Sequence, residues 1–93
     1  MRTLVWSHAF KRAFRRMAER RPELRKELEE TLAMLTANPF DPRLETHKLK
    51  GKLAGTWACS AGYDLRIVFE FVKVDASEDA VFLIELGSHD EVY

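Results

Sequence analysis

The apolar positions along the chain change period near Phe40. Before it they recur at helical spacing. Phe10, Ala13, Phe14 and Met17 fall at i, i+3, i+4 and i+7, while Lys11, Arg12, Arg15 and Arg16 lie mostly off that stripe. Ser7 stands just ahead, where a hydroxyl can cap the first free amides, and the short run Thr3-Leu4-Val5-Trp6 before it predicts a strand. Pro22 predicts the first turn of a second helix, because the amide it lacks would have no partner there anyway. Leu24, Leu28, Leu32 and Leu35 form its apolar stripe, with Glu27, Glu29 and Glu30 away from it. The two helices are expected to run antiparallel, joined near Arg20-Arg21.

Asn38-Pro39-Phe40-Asp41-Pro42 ends the second helix and makes a loop. Beyond it, strands are predicted over 44–50, 55–60, 64–72 and 80–87. The clearest alternation puts Leu65, Ile67, Phe69 and Phe71 on one face and Asp64, Arg66 and Glu70 on the other. Residues 73–79 read as a polar hairpin loop, and 80–87 is the most apolar strand, expected to lie inside the sheet. Helices followed by a run of strands imply an α+β domain. The expected order is β-α-α-β-β-β-β, with two antiparallel helices on one face of a mainly antiparallel sheet of four to five strands. The other face is left open as a binding surface.

Composition narrows the class. A chain of 93 residues, 46% apolar and 32% charged, is expected to form one globular domain over 1–93 with one small core. No apolar run is long enough to span a bilayer, and the opening segment turns polar too soon for a secretory signal. Cys59 is the only cysteine, which excludes an internal disulfide and a cysteine-based zinc site and fits a reducing cytoplasm. The zero net charge hides an asymmetry: residues 1–52 carry 13 Lys and Arg against 7 Asp and Glu, and residues 53–93 carry 2 against 8. Either a basic face awaits phosphates or the helices are simply rich in solvated charge.

The candidate chemistry lies in polar segments outside the predicted core. Lys48, Lys50 and Lys52 alternate, so an extended segment would aim all three one way, towards an anion such as phosphate or as guards of a sheet edge. Asp64 and Arg66 are spaced to share a strand face, either as a surface ion pair or as a carboxylate beside a phosphate-binding guanidinium. His47 and His89 carry side chains that exchange a proton near neutrality, whereas His8 reads as structural. The terminal Tyr93 can stack on an unpaired base or fold back onto the core. Trp57 and Tyr63 read as packing residues. No compact metal-ligand spacing joins the histidines to Asp64, and nearby lysines oppose a cation, so no cofactor is expected.

At these residues the chain resembles the RelE/ParE superfamily of bacterial type II toxins, in particular its RelE/StbE and YafQ-like branch. The matching segments are His47-Lys48-Leu49-Lys50-Gly51, the stretch from Trp57 through Gly62-Tyr63-Asp64-Leu65-Arg66-Ile67-Val68-Phe69, and Leu86-Gly87-Ser88-His89-Asp90-Glu91-Val92-Tyr93. The resemblance implies an mRNA interferase that enters the ribosomal A site and cleaves mRNA by attack of a 2′-hydroxyl, without a metal. It implies catalytic roles for His47, Asp64, Arg66, His89 and Tyr93, and phosphate contacts from Lys48, Lys50 and Lys52. A cognate antitoxin protein is the implied partner, with DNA reached only through it. The YafQ-like pattern has a further histidine where this chain has Ser60, whose hydroxyl cannot serve as a base near neutral pH. A gyrase-poisoning toxin of ParE type and a non-catalytic RNA- or partner-binding module share the implied fold and stay as alternatives.

Overall fold

The computed structural model describes residues 2–62, 64–75 and 79–88. Strand β1 (Thr3–Trp6) leads into helices α1 (His8–Arg20) and α2 (Pro22–Ala37), and then come strands β2 (His47–Lys48), β3 (Trp57–Ala61), β4 (Leu65–Lys73) and β5 (Asp79–Ser88). Single 3-10 turns at Pro42–Leu44 and Gly51–Leu53 flank β2. The strands form one five-stranded sheet in the order β1-β5-β4-β3-β2. β1 runs parallel to β5, and every other pairing is antiparallel. The expected α+β architecture is the observed one, and β5 has a neighbour on each side.

Local signals account for the element ends. The Ser7 hydroxyl accepts the Phe10 amide at 3.0 Å and donates to the Ile84 carbonyl at 3.0 Å, so one side chain caps α1 and ties it to β5. Pro22 opens α2, and Asn38, in an extended conformation, closes it. Lys73 and Asp79 pair at 3.4 Å across the base of the β4–β5 hairpin.

The helices cover one face of the sheet. Phe10, Leu28 and Leu35 meet Cys59, Ile67, Phe69, Val81 and Leu83, all with no exposed surface. Burying each large side chain contributes roughly 1.5–3 kcal/mol. Trp6 meets the edges of Phe10 and Phe14 at 5.0 and 5.1 Å, and Phe40, Trp57 and Phe71 form a second aromatic cluster towards the β2 side. Trp57 therefore packs, as expected; Tyr63 lies outside the described residues.

Strand β5 departs from simple alternation. Val68 pairs with Glu85 but Phe69 pairs with Leu83, so Ile84 is an extra residue, a β-bulge. The bulge lets Leu83 and Leu86, three residues apart, both face the helices. The Ile84 carbonyl is the group that Ser7 bonds.

Candidate functional site

The face of the sheet away from the helices holds the candidate site. His47 pairs with Ala58, and two residues further along β3 Ser60 pairs with Arg66, which in turn pairs with Gly87. Since alternate residues share a face, His47, Ser60 and Arg66 stand together on the open side. Ala58 and Val68 form a buried apolar floor beside them. Glu85, which pairs with Val68, adds an exposed carboxylate to the same face.

Each polar group is held. The Arg66 guanidinium is half-buried and donates from Nη1 to the carbonyl of Leu65 at 3.0 Å. His47 Nδ1 lies 3.0 Å from the Glu45 carbonyl oxygen, and Ser60 Oγ donates to Glu45 Oε1 at 3.1 Å. A carbonyl only accepts, so the first contact is a hydrogen bond with the His47 proton on Nδ1. The neutral ring then has its lone pair on Nε2. The approach to β2 is stapled too. Asp41 accepts from the Arg43 amide at 2.9 Å and from its Nη2 at 2.8 Å, and the guanidinium holds the Asp41 carboxyl down at about 2.

Two expectations about this region need correction. The strand predicted over 44–50 is only His47–Lys48, because the chain enters a 3-10 turn at Gly51–Leu53 with Gly51 at φ 69°. Lys48, Lys50 and Lys52 therefore do not form one extended row. Lys48 follows His47 and so points to the opposite face, its Nζ 5.3 Å from the ring of Trp57. Lys50 and Lys52 are exposed around the turn.

Asp64 does not share a strand face with Arg66. It sits in the turn before β4, where the two-residue alternation does not yet apply. There it lines a hollow of about 260 Å³ with Arg16 and Arg20 of α1 and with Arg21, the residue between the two helices. Among the described residues no ion pair joins Asp64 to Arg66. His89 and Tyr93 lie outside the described residues.

Glu45 and the arginine-lined hollow escape sequence reasoning. The i, i+4 spacing of Arg16 and Arg20 on α1 was a usable signal for the hollow, but nothing local marks Glu45. Cys59 takes no part in the site: burial pushes its thiol up to about 12. Among the described residues no group of three or more His, Cys, Asp or Glu is placed to hold a metal ion.

The fold recurs in solved bacterial toxins. A YoeB/ParE toxin from Agrobacterium tumefaciens superposes with a TM-score of 0.78 at 20% identity, over 94% of this chain and 98% of that one. YafQ from Escherichia coli strain BL21(DE3) gives 0.76 at 15% identity, over 100% of this chain and 99% of the other. A metal-bound toxin from Helicobacter pylori gives 0.75 at 30% identity, with both chains covered in full. Comparison with curated protein sequences gives no significant match. These likenesses define the fold as one that bacterial toxins share. A family model described as "Bacterial toxin of type II toxin-antitoxin system, YafQ" matches residues 2–93, and the chain belongs to that family.

Proposed function

We propose that this toxin is a ribosome-associated mRNA endoribonuclease. The observation that supports it most is the grouping of His47, Ser60 and Arg66 on one open sheet face, which joins a proton-transfer group to a phosphate-binding cation. In the proposed reaction His47 Nε2 takes the proton of a 2′-hydroxyl. The 2′-oxygen attacks the adjacent phosphorus, and the bond from phosphorus to the 5′-oxygen breaks. A 2′,3′-cyclic phosphate and a free 5′-hydroxyl result, the departing oxygen receiving its proton from His89. Arg66 stabilises the charge that builds on the phosphoryl oxygens, which a guanidinium does through paired donors. Tyr93 stacks a base and aligns the attack.

These groups supply acid, base and cation from the chain itself. Lys50 and Lys52, exposed beside β2, serve as phosphate contacts. Lys48 is assigned to Trp57 instead, from its position over that ring. The 2′-hydroxyl proton is assigned to His47 rather than to Asp64, which lines the hollow shared with Arg16, Arg20 and Arg21.

The proposed partners are mRNA in the ribosomal A site and a cognate antitoxin protein, in the cytoplasm. A solved DinJ–YafQ complex from Escherichia coli contains a chain of this fold, with a TM-score of 0.75 at 14% identity. No described helix is long and apolar enough to cross a membrane. Induction of the isolated chain, with mRNA 5′-end mapping beside a gyrase supercoiling assay, tests the reading. New internal mRNA ends with unaffected gyrase support it; inhibited gyrase with intact mRNA overturns it.

A further inference from the structure

We propose that Glu45 is a positioning residue for His47: its carbonyl selects the imidazole tautomer, and its side chain, anchored on Ser60, keeps that carbonyl in place. The functional part of this proposal rests on the reading of His47 as the proton acceptor.

Three observations converge on Glu45. Its φ is 52°, the left-handed region, and among the described residues it is the only non-glycine there. A glutamate in that region costs stability that a glycine would not, so the conformation has to be maintained by its surroundings. The surroundings are visible. The Glu45 amide donates to the Pro42 carbonyl at 3.2 Å, and the neighbouring Thr46 hydroxyl donates to the Pro39 carbonyl at 2.6 Å. Lastly, the carboxylate accepts from Ser60 Oγ at 3.1 Å, reaching from the turn across to β3.

The conformation has a chemical consequence. Turned this way, the Glu45 carbonyl lies 3.0 Å from His47 Nδ1 and requires the proton there. In water a neutral histidine ring favours the opposite tautomer, with its proton on Nε2. The clamp therefore keeps Nε2 as the basic nitrogen. Ser60 acquires a purpose that needs no proton transfer: it pins the carboxylate that holds the turn. Ser60 also stands opposite Arg66, so the same bond fixes the turn before His47 to the strand that pairs with the one carrying Arg66.

The test is a set of three variants, Glu45→Gly, Glu45→Gln and Ser60→Ala, read by the ring 15N shifts of His47, thermal unfolding and RNA cleavage kinetics. The parent should show the neutral ring protonated at Nδ1. Glu45→Gly should be at least as stable, since glycine relieves the left-handed backbone. It should nevertheless mix the tautomers and lower kcat, with KM little changed, by up to about 100-fold, the scale of a misplaced catalytic group. Ser60→Ala should act in the same direction, and Glu45→Gln, whose amide oxygen still accepts from Ser60, should restore the parental tautomer. A parental His47 protonated at Nε2, or a Glu45→Gly variant with unchanged tautomer and rate, overturns the proposal. A chain with the Nδ1 tautomer but no RNA cleavage retains the clamp and removes the functional reading. Cleavage with the proton on Nε2 removes the clamp alone.

Discussion

Ser60 and Arg66 face one another across β3 and β4, and the serine hydroxyl is turned away from the arginine to Glu45. Among the described residues no carboxylate forms an ion pair with the guanidinium. Its contact is a main-chain carbonyl, which leaves its charge available to a phosphate. Replacing Arg66 with alanine should lower RNA cleavage by about 10²–10³-fold, the range for losing one preorganised group that stabilises transition-state charge. Lysine should restore only part of the rate, because it lacks the planar fork. Quantified cleavage products, with a melting curve for each variant, check both statements.

Lys48 and Lys50 should behave differently although only one residue separates them. Lys48 lies over Trp57, so Lys48→Ala should cost about 0.5–1 kcal/mol of stability, the worth of a cation–π contact at an exposed site. It should leave the salt dependence of RNA binding almost unchanged. Lys50→Ala should leave stability unchanged and reduce the slope of log affinity against log salt by about 0.7, one phosphate contact on a single strand. Denaturant titration and RNA binding across a salt series separate the two.

Gly62 is required by its backbone. Its φ is 72°, and the Glu27 carboxylate of α2 that a Cβ there would meet is the exposed end of a side chain that can turn aside. Gly62→Ala should destabilise by at least about 1–2 kcal/mol, the cost of a side chain in the left-handed region. Adding Glu27→Ala should recover little of this loss, because the left-handed backbone sets the cost. Urea midpoints for the single and double variants measure the difference.

Cys59 should make stability fall in alkali. Its folded thiol titrates at about 12, above the ordinary 9.0, because burial disfavours the thiolate. The folded state thus holds this proton more tightly than the unfolded chain does. The resulting stability is complete below pH about 9 and is lost as pH rises through about 12. Cys59→Ala should flatten that slope. In the wild-type chain at neutral pH, a thiol reagent should react only on unfolding.

Much of this architecture is legible in the residues, for definite reasons. The helices were readable because one wet face and one dry face impose a helical period, as Phe10–Met17 and Leu24–Leu35 show. The β4 core face was readable for the same reason at period two. The segment after β2 looks like a strand because lysines alternate with Leu49 and Leu53; Gly51, at φ 69°, takes the chain out of extension. The spacing of Asp64 and Arg66 suggests a shared face, but the alternation begins only inside β4. The bulge at Ile84 is hidden, since the apolar run Ala80-Val81-Phe82-Leu83-Ile84 ahead of Glu85 has no alternation to break. Glu45 is hidden more completely: its conformation is set by Pro39, Pro42 and Ser60, and only Ser60's distant position on β3 brings the carboxylate its partner.

The central claim, that His47 and Arg66 form one RNA-cleaving face, is tested most directly by 5′-end maps of cellular mRNA after induction of the wild-type chain and of the His47→Ala and Arg66→Ala variants. New internal 5′-hydroxyl ends with the wild type, strongly reduced with both folded variants, are predicted. Equal ends from all three chains, or growth arrest by the wild type with intact mRNA, would contradict it.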